Sequence, residues 1–168
     1  ECRIIESPRA NRAHQLNLGA KHTSSDWLVF LHADTRLMPE SIEQIITLPN
    51  EIVGGGFERL FAPRSGFLDF TCRLATFRGI TQGIFLGDQC LFVRRTIFEQ
   101  IGGFSETIGS GEDLWFSLSM RECGKTKLLS GPILSSARRF EKPGAIRQTY
   151  RDLKFALAMI RKHRKARS

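Results

Sequence analysis

The sequence predicts an α/β domain whose sheet is mainly parallel and flanked by helices. Strand-like and helix-like segments alternate along the 168 residues, which is the order expected of such a sheet. The most apolar segment runs from Asp26 to Ala33 almost without interruption, as in a parallel strand buried on both faces. Hydrophobic residues make up 41% of the chain and charged residues 25%, a composition that excludes a disordered chain and indicates a soluble one.

The first third of the chain predicts two strands and two helices. Residues 2–5 form a short strand, and residues 10–22 form a surface helix with few apolar positions. The buried strand at 26–33 follows. Residues 39–48 then have helical spacing of isoleucines and an acidic first turn, which suits the positive end of the helix dipole.

The middle and end of the chain continue the alternation. Gly54, Gly55 and Gly56 open a strand at 57–61, and residues 66–78 predict a helix with Phe67, Phe70, Leu74 and Phe77 on one side. The remaining elements are strands at 89–93, 127–129 and 133–135, and helices at 96–101, 112–123 and 144–163. The helix at 112–123 ends at Gly124, a residue type typical of the position after a helix.

All of the net charge of +8 lies at the C-terminus. Residues 1–141 contain 16 basic and 16 acidic side chains, whereas residues 142–168 contain nine basic side chains and one acid, Asp152. We therefore expect a globular domain over 1–141 and a basic amphipathic helix over 142–168. The basic residues are not interleaved with stacking aromatic residues, so nucleic acid is not an expected partner.

The last helix has two interpretations. Its apolar stripe consists of Ile146, Tyr150, Leu153, Leu157 and Ile160. The stripe either docks on the sheet, leaving the cations solvated, or contributes to a peripheral contact with anionic membrane through residues 144–168.

The four cysteines form no CxxC pair, which disfavours a zinc site or a disulfide scaffold and favours a cytoplasmic protein with reduced thiols. The sequence starts inside a predicted strand. We therefore expect it to be the remainder of a longer, N-terminally truncated domain.

Asp34 follows the most buried strand. Ligands of open α/β sheets bind at the carboxyl ends of strands, and a hard divalent cation such as Mg²⁺ or Mn²⁺ prefers carboxylate and phosphate oxygens. Asp34 is therefore a candidate metal ligand, and the alternative is that it caps the helix beginning near Pro39.

Three further segments carry candidate functional side chains. Glu112 and Asp113 open a helix, where they act either as helix-end partners or as a catalytic base and its neighbour. Asp88 precedes a predicted strand. Arg138 and Arg139 follow the last strand, and two guanidinium groups there suit either a diphosphate or a solvated basic turn.

The order of these motifs resembles glycosyltransferase family 2. The matching segments are DWLVFLHADT at 26–35, GDQCLFVRR at 87–95, GGF at 102–104 after Phe98, and Glu112-Asp113. Within the family, the segment NRAHQLNLGA at 11–20 and the segment SARR at 136–139 are most similar to bacterial glycosyltransferases of arsenosugar biosynthesis.

The resemblance implies a GT-A fold, which is Rossmann-like, and an inverting, metal-dependent transfer of sugar from a nucleotide-diphosphate sugar to a hydroxyl acceptor. By position, Asp34 would hold the metal and Asp113 would be the catalytic base, with Glu112 beside it. Asp88 would lie near the sugar and acceptor. The nucleotide side would include Arg12, Asn17, His32, Arg138 and Arg139.

The sequence departs from the family pattern in two ways. His32 occupies the position of the first acid in the DxD-type motif. We also expect the first strands of the family fold to be missing from this chain. The alternative function is therefore a non-catalytic remnant that binds anionic membrane or a partner protein through its basic C-terminal helix.

Overall fold

A computed structural model of the protein describes residues 3–140 and 144–167, with the side chains of Arg139 and Arg167 excepted. It contains five strands, which are β1 (Trp27–Phe30), β2 (Thr35–Arg36), β3 (Ile52–Ala62), β4 (Leu91–Arg94) and β5 (Lys125–Ser136). Its six α-helices are α1 (Arg12–Lys21), α2 (Glu40–Ile46), α3 (Gly66–Gln82), α4 (Arg95–Ile101), α5 (Glu112–Cys123) and α6 (Ala145–Arg167). The predicted strand at 2–5 is not formed within the described residues 3–5. The predicted boundary between 141 and 142 lies outside the described residues.

The strands form one mixed sheet in the order β1-β4-β3-β5-β2. The predicted α/β class is confirmed, whereas the prediction of a mainly parallel sheet is wrong for the described strands. Only β3 and β5 pair in parallel, and the pairs β1–β4, β3–β4 and β2–β5 are antiparallel. A strand buried on both faces has the same apolar pattern in either direction, so the sequence pattern did not reveal this difference.

The segment between α3 and β4 reverses the chain and makes β4 antiparallel to β3. Helix α3 runs back along β3, and its Gly79 lies against Phe85. The residues that follow α3 then run in the same direction as β3, as indicated by the hydrogen bond of 3.3 Å that the Gln89 side-chain amide donates to the Phe57 carbonyl. Cys90, at φ 51°, then turns the chain into β4.

Phenylalanine rings fill the core between the sheet and helices α4 and α5. Phe104 and Phe116 stack with their ring centroids 4.4 Å apart, and Phe30 meets Phe104 edge to face at 4.8 Å. On the other face of the sheet, Phe57 of β3 meets Phe92 of β4 edge to face at 5.6 Å. This packing holds β1, β3 and β4 together, and the carboxyl end of β1 leads into the candidate site.

Helices α3 and α6 do not bury the apolar sides that the sequence indicates. Helix α3 buries Leu68, Cys72, Ala75 and Gly79, so most of its predicted apolar side faces outward. Helix α6 packs through Ala156, Met159 and His163 against α5, and most of its predicted stripe is exposed. Docking of that stripe on the sheet is therefore wrong. No helix among the described residues is long and apolar enough to cross a membrane.

Replacing Gly55 by alanine is expected to destabilise the fold by about 3 kcal/mol. This value is near the upper end of the usual free-energy cost of overpacking, because the clashing atom belongs to the backbone of a paired strand and cannot move away. A Cβ at this position would lie 1.9 Å from the Lys127 carbonyl oxygen of the neighbouring strand. Urea unfolding measures the effect. Gly19→Ala is the matched control, since its Cβ would have no neighbour within 4 Å. Equal stability of the two variants would contradict the prediction.

Candidate active site

Asp34 lies in the turn that joins β1 to β2. The Thr35 amide donates to the His32 carbonyl at 3.0 Å, and the hydroxyls of Thr35 and Ser135 are 3.0 Å apart, which ties the turn to β5. The Asp34 residue is exposed. Helix α2 begins after Pro39 and has no side-chain cap, so the alternative that Asp34 caps this helix is wrong.

Asp88 lies in a short 3-10 turn, Gly87–Gln89, and forms an ion pair with Arg59 of β3. Both side chains are largely buried, at 8% exposure for Arg59 and 17% for Asp88. The second carboxylate oxygen of Asp88, Oδ1, is buried and has no hydrogen-bond partner. Asp88 therefore has one oxygen fixed by a guanidinium and a second oxygen with unused acceptor capacity.

Asp113 lies in the first turn of α5, where the helix dipole favours a negative charge. Its Oδ2 accepts the Gly87 amide at 2.7 Å, and its Oδ1 accepts the Leu114 amide at 2.7 Å. These bonds fix the carboxylate beside the 3-10 turn that carries Asp88. Each oxygen retains a further lone pair that can accept a proton or a hydroxyl hydrogen bond.

Arg12 connects Glu112 to His32. Its Nη1 lies 3.1 Å from Oε1 of the buried Glu112, and its Nη2 contacts Nε2 of His32. Burial, followed by the nearby Arg12 charge, lowers the pKa of His32, while Asp88, Asp113 and Asp34 act in the opposite direction. A neutral imidazole is consistent with this contact, because its Nε2 can then accept from the guanidinium.

Gly87 allows these side chains to meet. A Cβ on Gly87 would lie 2.5 Å from His32 Nε2, 2.6 Å from Arg12 Nη2 and 3.0 Å from Asp113 Oδ2. Because Gly87 has no side chain, the Arg12 guanidinium, the His32 imidazole and the Asp113 carboxylate can all lie beside the same backbone position.

The other predicted site residues lie farther along the surface. The Asn17 amide forms two hydrogen bonds with the backbone of Phe104, at 2.8 and 2.9 Å, so it fixes the 102–104 turn. Arg138 is exposed, and its Nε donates to the Ser136 hydroxyl at 3.2 Å at the carboxyl end of β5. The Arg139 side chain lies outside the described part of the structure. None of these contacts brings Asn17 or Arg138 into the group around Gly87.

The sequence pattern did not single out two arginines, the buried Arg59 and the partly buried Arg78. Arg59 pairs with Asp88, and Arg78 donates to Gln89 Oε1 at 2.7 Å and to the Ile84 carbonyl at 3.1 Å. Burial lowers the pKa of Arg78. A lone arginine inside the buried strand β3 was the available signal, because such a charge normally requires a partner.

The described residues contain no group of three or more His, Cys, Asp or Glu side chains that could hold a metal ion by themselves. Asp34 nevertheless offers an exposed carboxylate close enough for its charge to act on His32. Mg²⁺ is commonly held by one or two carboxylates together with substrate phosphates and water. The residues present therefore fit a cation that arrives with a diphosphate.

Comparisons with known proteins agree with the motif order. The sequence model of Glycosyl transferase family 2 matches residues 1–52. An uncharacterized glycosyltransferase of Haemophilus influenzae is 28% identical over 122 residues, which covers 64% of this chain. The chain spans about 40% of the length of that relative.

The fold is similar to that of a solved structure, the mannosyltransferase PcManGT from Pyrobaculum calidifontis in complex with GDP-Man and Mn²⁺. The two chains are 21% identical, with a TM-score of 0.57 over 78% of this chain and 37% of the neighbour. At this identity the likeness establishes the fold, which confirms the expected GT-A type. The chain is therefore similar to glycosyltransferase family 2 over residues 1–52, and to a glycosyltransferase relative over 122 residues.

Proposed function

We propose that the domain transfers a sugar from a nucleotide-diphosphate sugar to a hydroxyl acceptor, with inversion at the anomeric carbon. The observation that carries this proposal is the convergence of Asp113 and Asp88 around Gly87 at the end of a sheet whose first strand leads to Asp34. Inversion requires one base and no nucleophile on the enzyme, and these three carboxylates supply a base without a nucleophilic serine or cysteine.

Asp34 is the residue proposed to hold Mg²⁺ or Mn²⁺ on the donor diphosphate. Such a cation, when bound, neutralises the charge that develops on the departing nucleoside diphosphate. Arg12 and His32 both lie on the side of Gly87 where a Cβ would project, and they would line the donor site there. Asn17, Arg138 and Arg139 are proposed for the nucleotide side on the strength of the family resemblance.

Asp113 is the residue proposed to accept the proton of the acceptor hydroxyl. Its two backbone hydrogen bonds hold the carboxylate in one orientation, which is what a general base requires. Glu112 is buried and paired with Arg12, so it is less suited to meet an acceptor. Asp88 presents its unpartnered Oδ1 and is proposed to accept a hydrogen bond from a sugar or acceptor hydroxyl.

Stereochemistry tests this function directly. The full-length protein is incubated with nucleotide sugars and candidate acceptors, and the anomeric configuration of the product is read by NMR. A product with the configuration opposite to that of the donor supports the proposal. A retained configuration would contradict it.

Asp34→Asn is expected to remove most of the metal dependence of nucleoside diphosphate binding while leaving the protein folded. An amide lacks the charge that a hard cation prefers, so the metal contributes much less to binding in the variant. Calorimetric titration of nucleoside diphosphate, with and without Mn²⁺, measures this effect. If wild-type affinity is the same with and without metal, Asp34 is not a metal ligand.

A second candidate function is peripheral contact with anionic membrane through α6. Its support is the exposed apolar stripe beside exposed Arg147, Arg151 and Lys154. Changing these three cations to glutamine is expected to lower sedimentation with anionic vesicles by at least about tenfold, given the contribution of each charge near a lipid surface. The matched control changes Lys21, Lys125 and Lys127 to glutamine. Equal losses in the two variants would contradict a contact specific to α6.

A further inference from the structure

Helix α3 is apolar on the face that points away from the core. Its inner line of Leu68, Cys72, Ala75 and Gly79 is buried against the sheet. Its outward face carries four large apolar side chains with exposures of 54, 51, 63 and 68%, which are Phe70, Leu74, Phe77 and Ile80. The helix is therefore apolar on both sides although only one side is packed.

Such a face is unusual for a surface helix. A helix at the surface of a globular protein normally presents polar residues opposite the core, and one that is apolar all round is normally covered. Contiguous exposed apolar patches mark interaction sites in soluble proteins. The outward face of α3 is therefore expected to have an occupant.

The first turn of α3 adjoins the exposed stripe of α6. Phe67 of α3 lines one groove together with Ile146 and Tyr150 of α6. Both of these α6 residues are exposed, at 71 and 61%. The two helices thus offer neighbouring apolar surfaces that meet at this groove.

The exposed charges beside these surfaces are positive, whereas the acids Asp69 and Asp152 are only partly exposed, and this favours an anionic occupant. Arg73 is exposed on the outward half of α3, between Phe70 and Phe77. Exposed Arg147 and Arg151 flank the stripe of α6. A second copy of this chain, docked through the same two-fold surface, would bring like charges together. A lipid surface with anionic headgroups supplies the opposite charge and accepts apolar side chains at the same depth.

We propose that the outward face of α3 inserts into the interfacial layer of an anionic bilayer, beside α6. The proposal rests on the proposed membrane contact of α6 and extends it to a helix outside the basic C-terminal segment. The phenylalanines enter the boundary between headgroups and acyl chains, and Arg73 remains at the level of the phosphates. Both helices then hold the domain at the membrane in one orientation.

The test uses vesicles of phosphatidylcholine with and without phosphatidylglycerol, at low salt, with the full-length protein. The Phe70→Ser/Phe77→Ser variant is expected to sediment with anionic vesicles at least about tenfold more weakly than wild type, because two large apolar side chains no longer leave water. The Ile42→Ser/Ile46→Ser variant is the matched control, since it removes two exposed apolar side chains from α2. A Phe70→Leu/Phe77→Leu variant should bind nearly as wild type. Urea unfolding checks that all variants remain folded.

The possible results distinguish membrane insertion of α3 from contact through α6 alone and from dimerisation. Wild-type binding by the Phe70→Ser/Phe77→Ser variant would overturn the inference. If in that case the α6 glutamine variant loses binding, the α6 contact stands without α3. A wild-type dimer in analytical ultracentrifugation that becomes monomeric in the α3 serine variant would assign the face to a second copy and overturn the inference. Vesicle binding needs neither donor nor acceptor, so its failure leaves the proposed transfer reaction unaffected.

Discussion

Asp113→Asn is expected to lower the turnover of the full-length protein by about 100-fold or more, a typical contribution of a general base. The affinity for the donor should be nearly unchanged. Asparagine has the same shape, and its single carbonyl oxygen can still accept the Gly87 amide, but it cannot take a proton from the acceptor. Turnover measured at saturating donor, together with donor affinity from calorimetry, gives both quantities.

Glu112→Gln is the matched control for Asp113→Asn. It removes one charge from the adjacent residue, whose carboxylate lies 3.1 Å from Arg12. We expect this variant to retain most of the turnover and to affect donor binding through Arg12. Normal turnover in Asp113→Asn together with an inactive Glu112→Gln would show that the base is the neighbouring acid.

Arg59→Met is expected to destabilise the protein by about 3 kcal/mol, since removing one partner of a buried ion pair leaves an uncompensated charge. The carboxylate left behind is that of Asp88, whose other oxygen already has no partner. The midpoint of urea unfolding at neutral pH measures the loss. Unchanged stability of Arg59→Met would show that the ion pair does not support the turn at Gly87–Gln89.

A double variant isolates the charge from the packing of Arg59. Arg59→Met/Asp88→Asn also removes the carboxylate charge, so it should recover part of the stability that Arg59→Met loses. The guanidinium of Arg59 also lies 4.6 Å from the ring centroid of Phe61, and the double variant does not restore that contact. No recovery at all would attribute the loss to packing alone.

The sequence predicts the positions of those candidate-site residues that depend on neighbouring residues in the chain. Asp34 follows an apolar run, and Glu112 and Asp113 precede a helix, so their places at the ends of β1 and α5 are consistent with the prediction. Asp88 was expected just before a strand and lies in the 3-10 turn that precedes β4. In each case the residues that determine the position are close in sequence.

The sequence does not predict features that depend on distant partners. The direction of β4 depends on the reversal at 83–90, and the apolar run of β4 is compatible with either direction. The burial of Arg59 depends on Asp88, which lies 29 residues away. Helix α3 has apolar residues on both faces, so periodicity alone cannot choose the face that packs on the sheet.

The most direct test of the proposed transfer site is anomalous diffraction from crystals of the full-length protein grown with nucleoside diphosphate and Mn²⁺. We expect an anomalous peak beside the Asp34 carboxylate and the bound diphosphate, with Asp113 and Asp88 facing the space beyond the β-phosphate. A manganese peak away from Asp34, or a diphosphate bound remote from Gly87, would contradict it.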